Sequence, residues 1–274
     1  MAKNPETCSN SFMNNFPIGV FDSGVGGLSI LKELQGLLPN ESFVFFADQK
    51  NVPYGGKTKE ELVALTSRIM EFLLSQKVKM VVVACNTATC HAIQELRSSF
   101  SLPIVGVVPA IKPAAEQTKT GKIALIATPA TAKSQYVTEL IDKFASNIEV
   151  LRIGCAGLED SIENGDLDSQ ATTQLLNKYV LTLKQEGIDQ LVLGCTHYPF
   201  LKEKIAAILG SSVALVDSGK AVAGRTASLL NEHNLKNSIG GPVNQFFTNK
   251  DAENFSRVAS KLLDYPVVAQ YASI

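Results

Sequence analysis

The segment RIMEFLLSQKVKMVVVACNT, residues 68–87, is the most informative part of the sequence, because the chain contains a second segment with the same pattern. KYVLTLKQEGIDQLVLGCTH, residues 178–197, aligns on it without gaps, 110 positions later. Both segments run from a helical pattern through a short turn into an apolar strand, which ends at Cys85 or Cys195. Any two βα units look alike, but this general likeness does not explain why a cysteine occupies the same aligned position in both segments. The sequence therefore predicts an internal repeat.

Short apolar strands extend this pattern in both directions and alternate with longer amphipathic stretches. The predicted strands are IGVF before Asp22, FVFFA before Asp48, MVVVA before Cys85, KIALIA before Thr128, QLVLG before Cys195 and VALV before Asp217. A helix is predicted over 58–75, where Thr58 and Glu61 form a capping box. This alternation predicts an α/β protein with largely parallel strands, in which ligands bind beyond the carboxyl ends of the strands.

The repeat also predicts the domain organisation. IGVFDS, residues 18–23, recurs as IALIAT, residues 123–128, so that the similarity is not confined to the cysteine segments. We expect two similar α/β domains related by pseudo-twofold symmetry, with Cys85 and Cys195 on opposite walls of the cleft between them. The predicted parts are a flexible polar leader over 1–16, a first domain over 17–108 plus 217–274, and a second domain over 109–216.

The composition narrows the class of protein. Hydrophobic residues make up 45% of the 274 residues, which is enough to bury a core. The formal net charge of -1 provides no basic surface for nucleic acid or an anionic membrane. No apolar run reaches the roughly 18 to 20 residues of a membrane helix, and the N-terminus has no signal-peptide pattern, so we expect a cytoplasmic protein. Five cysteines are an odd number, which favours thiols over disulfides.

A cysteine at a strand end, followed by a helix, is well placed for reactivity, because the free amides of a helix N-terminus favour the thiolate. We interpret Cys8, Cys90 and Cys155 as small hydrophobic residues instead. Cys85, Cys90 and His91 follow a C-x4-C-H spacing, but on a helix the two cysteines point about 140° apart. No second pair of ligands accompanies them, so no metal site is predicted.

The loop DSGVGGLS, residues 22–29, approaches the glycine fingerprint of dinucleotide-binding proteins. Ser29 replaces the third glycine, however, and Asp22 places a carboxylate where a pyrophosphate would lie. We interpret the glycines as a tight turn that lets backbone amides approach a small anion, with Asp22 and Ser23 presented to it. The loop VPYGGKT, residues 52–58, is compatible with either an ordinary turn or a functional loop.

Four segments together carry a resemblance that extends from about Ile18 to the C-terminal region. They are FDSGVGGLS, ADQKNVPYGGKT, VVVACNTAT and LVLGCTHYP, in that order. On these segments the chain resembles the glutamate racemase family. The resemblance implies two α/β domains that enclose glutamate, interconversion of its L- and D-isomers without pyridoxal phosphate or metal, and supply of D-glutamate for peptidoglycan synthesis. Another acidic amino-acid racemase, such as aspartate racemase, is the nearest alternative.

The resemblance also implies roles for the matching residues. Cys85 and Cys195 would be the two acid/base groups, assisted by Asp22 and His197 respectively. The implied substrate contacts are Asp22, Ser23, Tyr54, Gly55, Asn86, Thr87, Thr196 and His197. A glutamate of the second domain would lie near Cys195, and we place it at Glu163. Glu159 is the alternative, because CAGLEDSIENG departs from the more apolar, proline-containing pattern of the family. A homodimer is compatible with the resemblance.

Racemisation suits these residue types, because it removes a proton from one face of Cα and returns one to the other. A thiol with an ordinary pKa of about 8.5 costs only about 2 kcal/mol to ionise at pH 7. Two other classes stay open at this point. A cysteine-dependent hydrolase or transferase needs one nucleophile and tolerates loss of the second thiol, whereas a small-ligand binding protein needs neither.

Overall fold

The computed structural model describes residues 14–237 and 241–274, and its strands form two separate parallel sheets. The strands are β1 Ile18–Asp22, β2 Phe43–Ala47, β3 Met80–Val83, β4 Ile104–Gly106, β5 Lys122–Ala127, β6 Glu149–Gly154, β7 Gln190–Leu193, β8 Ala214–Val216, β9 Asn244–Thr248 and β10 Ala269–Tyr271. The first sheet has the order β10-β9-β2-β1-β3-β4, and the second has the order β6-β5-β7-β8.

The two sheets share one arrangement of four strands. The order β2-β1-β3-β4 in the first sheet corresponds to β6-β5-β7-β8 in the second. The register corresponds as well, since Ile18 pairs with Met80 in the first sheet and Ile123 pairs with Gln190 in the second. These are the positions that the sequence repeat aligns. The repeat predicted from sequence is therefore present in the strand topology.

Helices cover both faces of the sheets. They are α1 Leu28–Leu37, α2 Lys59–Ser75, α3 Asn86–Ser99, α4 Ile111–Gln117, α5 Pro129–Lys133, α6 Gln135–Phe144, α7 Leu158–Glu163, α8 Gln170–Val180, α9 Lys202–Leu209, α10 Gly219–Glu232 and α11 Ala252–Leu263. Short 3-10 turns occur at Tyr54–Gly56, Leu181–Gln185 and Tyr198–Leu201. The predicted capping box is present at the start of α2, where Thr58 and Glu61 bond each other's backbone amides.

The strands are apolar along their whole length because both faces of each sheet are covered. Alternate residues of the first sheet enter different clusters: Val20 and Phe45 pack on the side of α1, and Phe21 and Phe46 pack on the side of α2 and α3. The cluster that contains Val20 continues to Ile126 of the second sheet. One apolar cluster thus includes residues of both sheets.

All six strands predicted from sequence are confirmed, and each ends within two residues of the polar or cysteine residue that marked it. The strands β4, β6, β9 and β10 were not among the predicted ones. Strands of the first sheet lie within 18–106 and 244–271, and strands of the second lie within 122–216. The boundaries at 108/109 and 216/217 stay a prediction, and most of the proposed leader lies outside the described residues.

Among residues 14–237 and 241–274, no helix combines the length and the apolar character needed to cross a bilayer.

Candidate active site

The two repeated cysteines lie just beyond the carboxyl ends of matching strands, one in each sheet. Cys85 follows β3 and caps α3, where its Sγ accepts a hydrogen bond from the Ala88 amide at 3.5 Å. The Ser23 hydroxyl lies 3.7 Å from the same sulfur. This is the helix N-terminal position that the sequence predicted for a reactive thiol.

Cys195 follows β7 and has a different partner. Its Sγ lies 3.5 Å from Nδ1 of His197, and Nε2 of that ring lies 2.6 Å from Oε1 of Glu163. The three side chains form a chain of sulfur, imidazole and carboxylate. A carboxylate on one nitrogen orients a histidine ring and supports its protonated form.

Both thiols open onto one cavity. Its walls are formed by Ser23, Val52, Pro53, Tyr54, Gly55, Cys85, Asn86, Thr87, Thr128, Glu159, Gly194, Cys195, Thr196 and His197. Cys85 is 5% exposed and Cys195 is 7% exposed, so the cavity is nearly closed to solvent. The structure brings together every predicted substrate contact except Asp22, and residues of the loop at 52–58 lie in the cavity wall rather than in a remote turn.

Asp22 lies behind the cavity wall and is completely buried. Its Oδ2 accepts a hydrogen bond from Thr196 at 2.8 Å, and its Oδ1 accepts bonds from the Ser23 amide and hydroxyl at 2.5 and 3.0 Å. Asp22 therefore reaches the cavity through Ser23 and Thr196. This geometry supports a role at the thiols more directly than a role as a substrate contact.

The two thiols have opposite electrostatic surroundings. Burial and the nearby charge of Asp22 raise the pKa of Cys85 well above its ordinary value, which favours the protonated thiol. Burial lowers the pKa of His197, but the charge and hydrogen bond of Cys195 and the Glu163 carboxylate outweigh burial and raise it well above its ordinary value. Cys85 therefore lies near an acidic residue, Asp22, whereas Cys195 lies against a histidine whose pKa is raised.

Glu163 and Glu159 occupy distinct places. Burial raises the pKa of Glu163, but hydrogen bonds from His197, Gln49 and the Val25 amide outweigh burial and lower it below its ordinary value. Glu159 lines the cavity instead, and its buried Oε2 has no hydrogen-bond partner among the described residues. Burial raises the pKa of Glu159. The geometry thus supports Glu163 as the helper carboxylate near Cys195.

The backbone of the glycine loop before α1 contacts an anionic group, as predicted, and this group is the carboxylate of Glu163. The Val25 amide donates to Oε1 of Glu163 at 2.6 Å. A Cβ atom on Gly24 would lie 1.8 Å from that oxygen, and one on Gly26 would lie 2.4 Å from Nδ1 of His197. Gly24 and Gly26 are therefore required because side chains from the other half of the molecule lie against the loop backbone.

Sequence reasoning missed several residues of the site. Thr128 lines the cavity and hydrogen-bonds with Thr87 at 3.3 Å. The repeat itself contained this signal, because Thr128 aligns with Ser23 at the end of the matching strand. Gln49 contacts Glu163 at 2.8 Å, and Tyr54 donates to Asp48 at 2.5 Å. No local pattern marked these last contacts.

The remaining cysteines lie apart from this cavity or outside the described residues. Cys155 is fully buried, as expected of a small hydrophobic residue, whereas Cys90 is partly exposed. Cys8 lies outside the described residues. Within the described part of the chain, no three histidine, cysteine, aspartate or glutamate side chains are grouped as ligands for a metal ion.

The chain is similar to known proteins of one family in sequence and in structure. Residues 28–226 match the family described as Asp/Glu/Hydantoin racemase. A glutamate racemase isoform from Bacillus anthracis superposes with a TM-score of 0.88 at 32% identity, covering 95% of this chain and 98% of that one. A glutamate racemase from Francisella tularensis, solved with D-glutamate, superposes with a TM-score of 0.82 at 32% identity and the same coverage. The class is therefore that of the amino-acid racemases with two α/β domains.

The sequence comparison narrows the class further. The glutamate racemase of Herpetosiphon aurantiacus is 46% identical over 248 residues, which cover 90% of this chain and 97% of that protein. The chain belongs to the glutamate racemase family. An aspartate racemase from Picrophilus torridus shares only 19% identity at a TM-score of 0.53, so that this likeness concerns the fold alone.

Proposed function

We propose that this chain interconverts L- and D-glutamate by transferring protons at Cα between Cys85 and Cys195. The observation that carries the proposal is the placement of two thiols, one from each sheet, on the walls of a single nearly closed cavity. Membership of the glutamate racemase family supports glutamate as the substrate. The D-glutamate so formed supplies peptidoglycan synthesis.

The unequal surroundings of the thiols suggest how each direction begins. In the L-to-D direction, Cys195 acts as the thiolate beside the His197 imidazolium and removes the Cα proton of L-glutamate. Cys85, held as the thiol by burial and by Asp22, donates its proton to the opposite face. The products are D-glutamate, the Cys85 thiolate and the Cys195 thiol. The reverse direction exchanges the two roles, and exchange of protons restores the starting state.

The difficult step is the formation of a carbanion at Cα. Hydrogen-bond donors fixed near the substrate carboxylate stabilise the developing charge, and a closed cavity strengthens them because water is excluded. Asn86, Thr87 and Thr196 are buried residues of the cavity wall and suit this task. The remaining substrate contacts in this proposal are Ser23, Tyr54, Gly55 and His197.

The proposal includes no pyridoxal phosphate and no metal ion, so activity should survive prolonged treatment with a chelator. We also propose that the chain is located in the cytoplasm and forms a homodimer. Sedimentation equilibrium of the purified chain tests the dimer, and it contradicts this part of the proposal if the mass of one 29.4 kDa chain is found at all concentrations.

The decisive experiment measures deuterium at Cα during racemisation in deuterium oxide. With two opposed bases, early D-glutamate formed from L-glutamate carries deuterium, while the unreacted L-glutamate stays protonated. A single base returns solvent hydrogen to both faces and labels the recovered substrate as well. Parallel incubation with L-aspartate tests the substrate: faster racemisation of aspartate than of glutamate would overturn the assignment.

A further inference from the structure

Gln49 lies between the helper carboxylate and the first sheet without facing the substrate. It is 7% exposed, follows β2, and is absent from the residues that line the cavity. Its Nε2 donates to Oε2 of Glu163 at 2.8 Å. Its Oε1 accepts a hydrogen bond from the hydroxyl of Thr248, at 3.1 Å. Both ends of the amide are thus occupied by buried partners.

Thr248 fixes the direction in which the amide points. A carboxylate only accepts hydrogen bonds, so Gln49 must turn its NH2 group towards Glu163. The Thr248 hydroxyl donates to the oxygen at the other end and thereby makes the opposite orientation unfavourable. Thr248 ends β9 and is fully buried. The order of contacts is Thr248, Gln49, Glu163, His197 and Cys195.

Glu163 belongs to the half of the molecule built on the second sheet, but its carboxylate is held from the first. The Val25 amide holds Oε1 at 2.6 Å and Gln49 holds Oε2, and both donors belong to loops of the first sheet. Among the described residues, only His197 bonds the carboxylate from its own half. The partner of Cys195 is therefore completed when the two halves come together.

We propose that Gln49, oriented by Thr248, is a positioning residue that docks the Glu163 carboxylate against His197 across the two halves of the molecule. The inference rests on the proposed racemase activity. The helper of Cys195 thus needs donors from the opposite half of the molecule, whereas Ser23, which contacts Cys85, belongs to the same half as that thiol.

The direction of the pH effect follows from the hydrogen bond. Burial raises the pKa of Glu163, the hydrogen bond and charge of His197 lower it most, and the Gln49 donor lowers it as well. Asp22 is the nearby like charge. Removing the Gln49 donor raises the pKa of Glu163. The carboxylate then becomes protonated at a higher pH, so the acidic limb of the activity profile moves upwards.

The experiment replaces Gln49 with methionine, which has a similar length and shape but cannot donate to the carboxylate. We expect kcat of Gln49→Met to fall about tenfold, the value of one hydrogen bond to a charged group. The KM for glutamate should stay within about twofold, because Gln49 does not line the cavity, and the acidic limb should move to higher pH. Gln245→Met, the same change at an exposed position of β9, is the matched control and should behave as the parent enzyme.

Gln49→Glu separates positioning from a merely structural role. Its carboxyl group repels Glu163 when ionised but donates to it when protonated. Its activity relative to Gln49→Met should therefore increase as the pH falls, a trend that loss of packing does not produce. If Gln49→Met does not fold, Thr248→Val tests the same chain of contacts with an expected two- to threefold loss of kcat, and Thr248→Ser should restore the activity.

The outcomes separate the two proposals. A parent enzyme that does not racemise glutamate overturns the proposed function itself. An active parent enzyme together with a folded Gln49→Met variant of unchanged kcat and unchanged pH profile overturns the positioning role alone. A rise in KM with kcat unchanged also overturns it, because that pattern indicates a substrate contact.

Discussion

At the scale of single residues, the different surroundings of the two thiols predict what each does alone. We expect Cys85→Ser and Cys195→Ser each to lower racemisation by about three orders of magnitude, because a serine hydroxyl is far less acidic than a thiol. The remaining thiol should still exchange the Cα hydrogen of one isomer. Chiral chromatography measures the racemisation, and proton NMR in deuterium oxide measures the exchange.

The isomer preference of these variants is opposite. Cys85→Ser retains Cys195, which removes the proton of L-glutamate in the proposed mechanism. Cys195→Ser retains Cys85, which removes the proton of D-glutamate. Since the equilibrium constant between enantiomers is one, kcat/KM must fall equally in both directions of racemisation, which checks the kinetic data internally. Near-normal racemisation by either variant contradicts the two-base mechanism.

Glu159 is an acidic residue of the cavity wall with an oxygen that has no partner among the described residues. Its buried Oε2 accepts no hydrogen bond from the described residues, and the ammonium is the only donor group on glutamate at neutral pH. We expect Glu159→Gln to raise the KM about tenfold through loss of a charge-assisted bond. Because burial raises the pKa of Glu159, the KM of the parent enzyme should fall as the pH rises through that pKa, and the variant should lose this dependence.

The neighbouring acidic residue provides the control for this experiment. Asp160 precedes Ser161 on the same helix and is exposed, so Asp160→Asn removes an equal charge without touching the cavity. Steady-state kinetics between pH 5 and 9 measure both variants. Equal KM values for Glu159→Gln and Asp160→Asn at every pH would falsify the proposed contact.

Among the secondary-structure elements, the glycine loop before α1 predicts a glycine-to-alanine change that lowers activity. Gly24→Ala places a methyl group 1.8 Å from Oε1 of Glu163, and the carboxylate must leave its three partners to make room. We expect kcat to fall ten- to a hundredfold, about the value of an acid/base helper. Unfolding in urea should also become easier, by about 1–3 kcal/mol, because the displaced carboxylate loses its hydrogen bonds at a buried position.

Gly36 provides the contrast within the next helix. It lies inside α1, and no described atom outside the helix backbone lies within 4 Å of the place that a Cβ would take. Gly36→Ala should therefore raise the free energy of unfolding by about 0.5–1 kcal/mol through helix propensity, with kcat unchanged. Parallel urea titrations and rate measurements of the two alanine variants check this difference, and equal activities contradict it.

The elements also show how far sequence reasoning reaches. Strand ends and the capping box at Thr58 depend on local spacing, so the sequence predicted them correctly. The docking of Glu163 by Gln49 depends on β2, β9 and α7 meeting in space, and neighbours along the chain do not encode that meeting. The family resemblance suggested a glutamate near Cys195, and Glu163 does lie against His197 in spite of its altered surroundings. Glu159 as a cavity residue required the structure.

At the scale of the whole molecule, a buried ion pair ties distant segments to the base of the first sheet. Lys79 bonds Glu41 at 2.5 Å and donates to the carbonyl of Asn14, while the Asn237 amide donates to the second oxygen of Glu41. Both charged side chains are at most 2% exposed. The pair therefore binds two other segments to the first sheet: the start of the described chain and the segment that precedes β9.

Removing one member of this pair should unfold the protein more easily without changing the chemistry. We expect Lys79→Met to lower the free energy of unfolding by about 3–5 kcal/mol, because Glu41 is left as an uncompensated buried charge. The double variant Lys79→Met/Glu41→Leu should recover part of this loss. Urea denaturation measures the stabilities, and kcat at 25 °C is the control. A change below about 1 kcal/mol contradicts the prediction.

The position of β9 in the first sheet has a consequence for the timing of activity during protein synthesis. A ribosome that has reached residue 237 has already made both thiols, His197 and Glu163. It has not yet made Thr248, which orients Gln49, or Asn249, which donates to Asp48. The growing polypeptide thus carries its reactive groups before it can align them. Since β9 and β10 are the last strands to be made, we expect full activity to appear only after the chain is complete and these strands join the first sheet, and not when the cysteines are made.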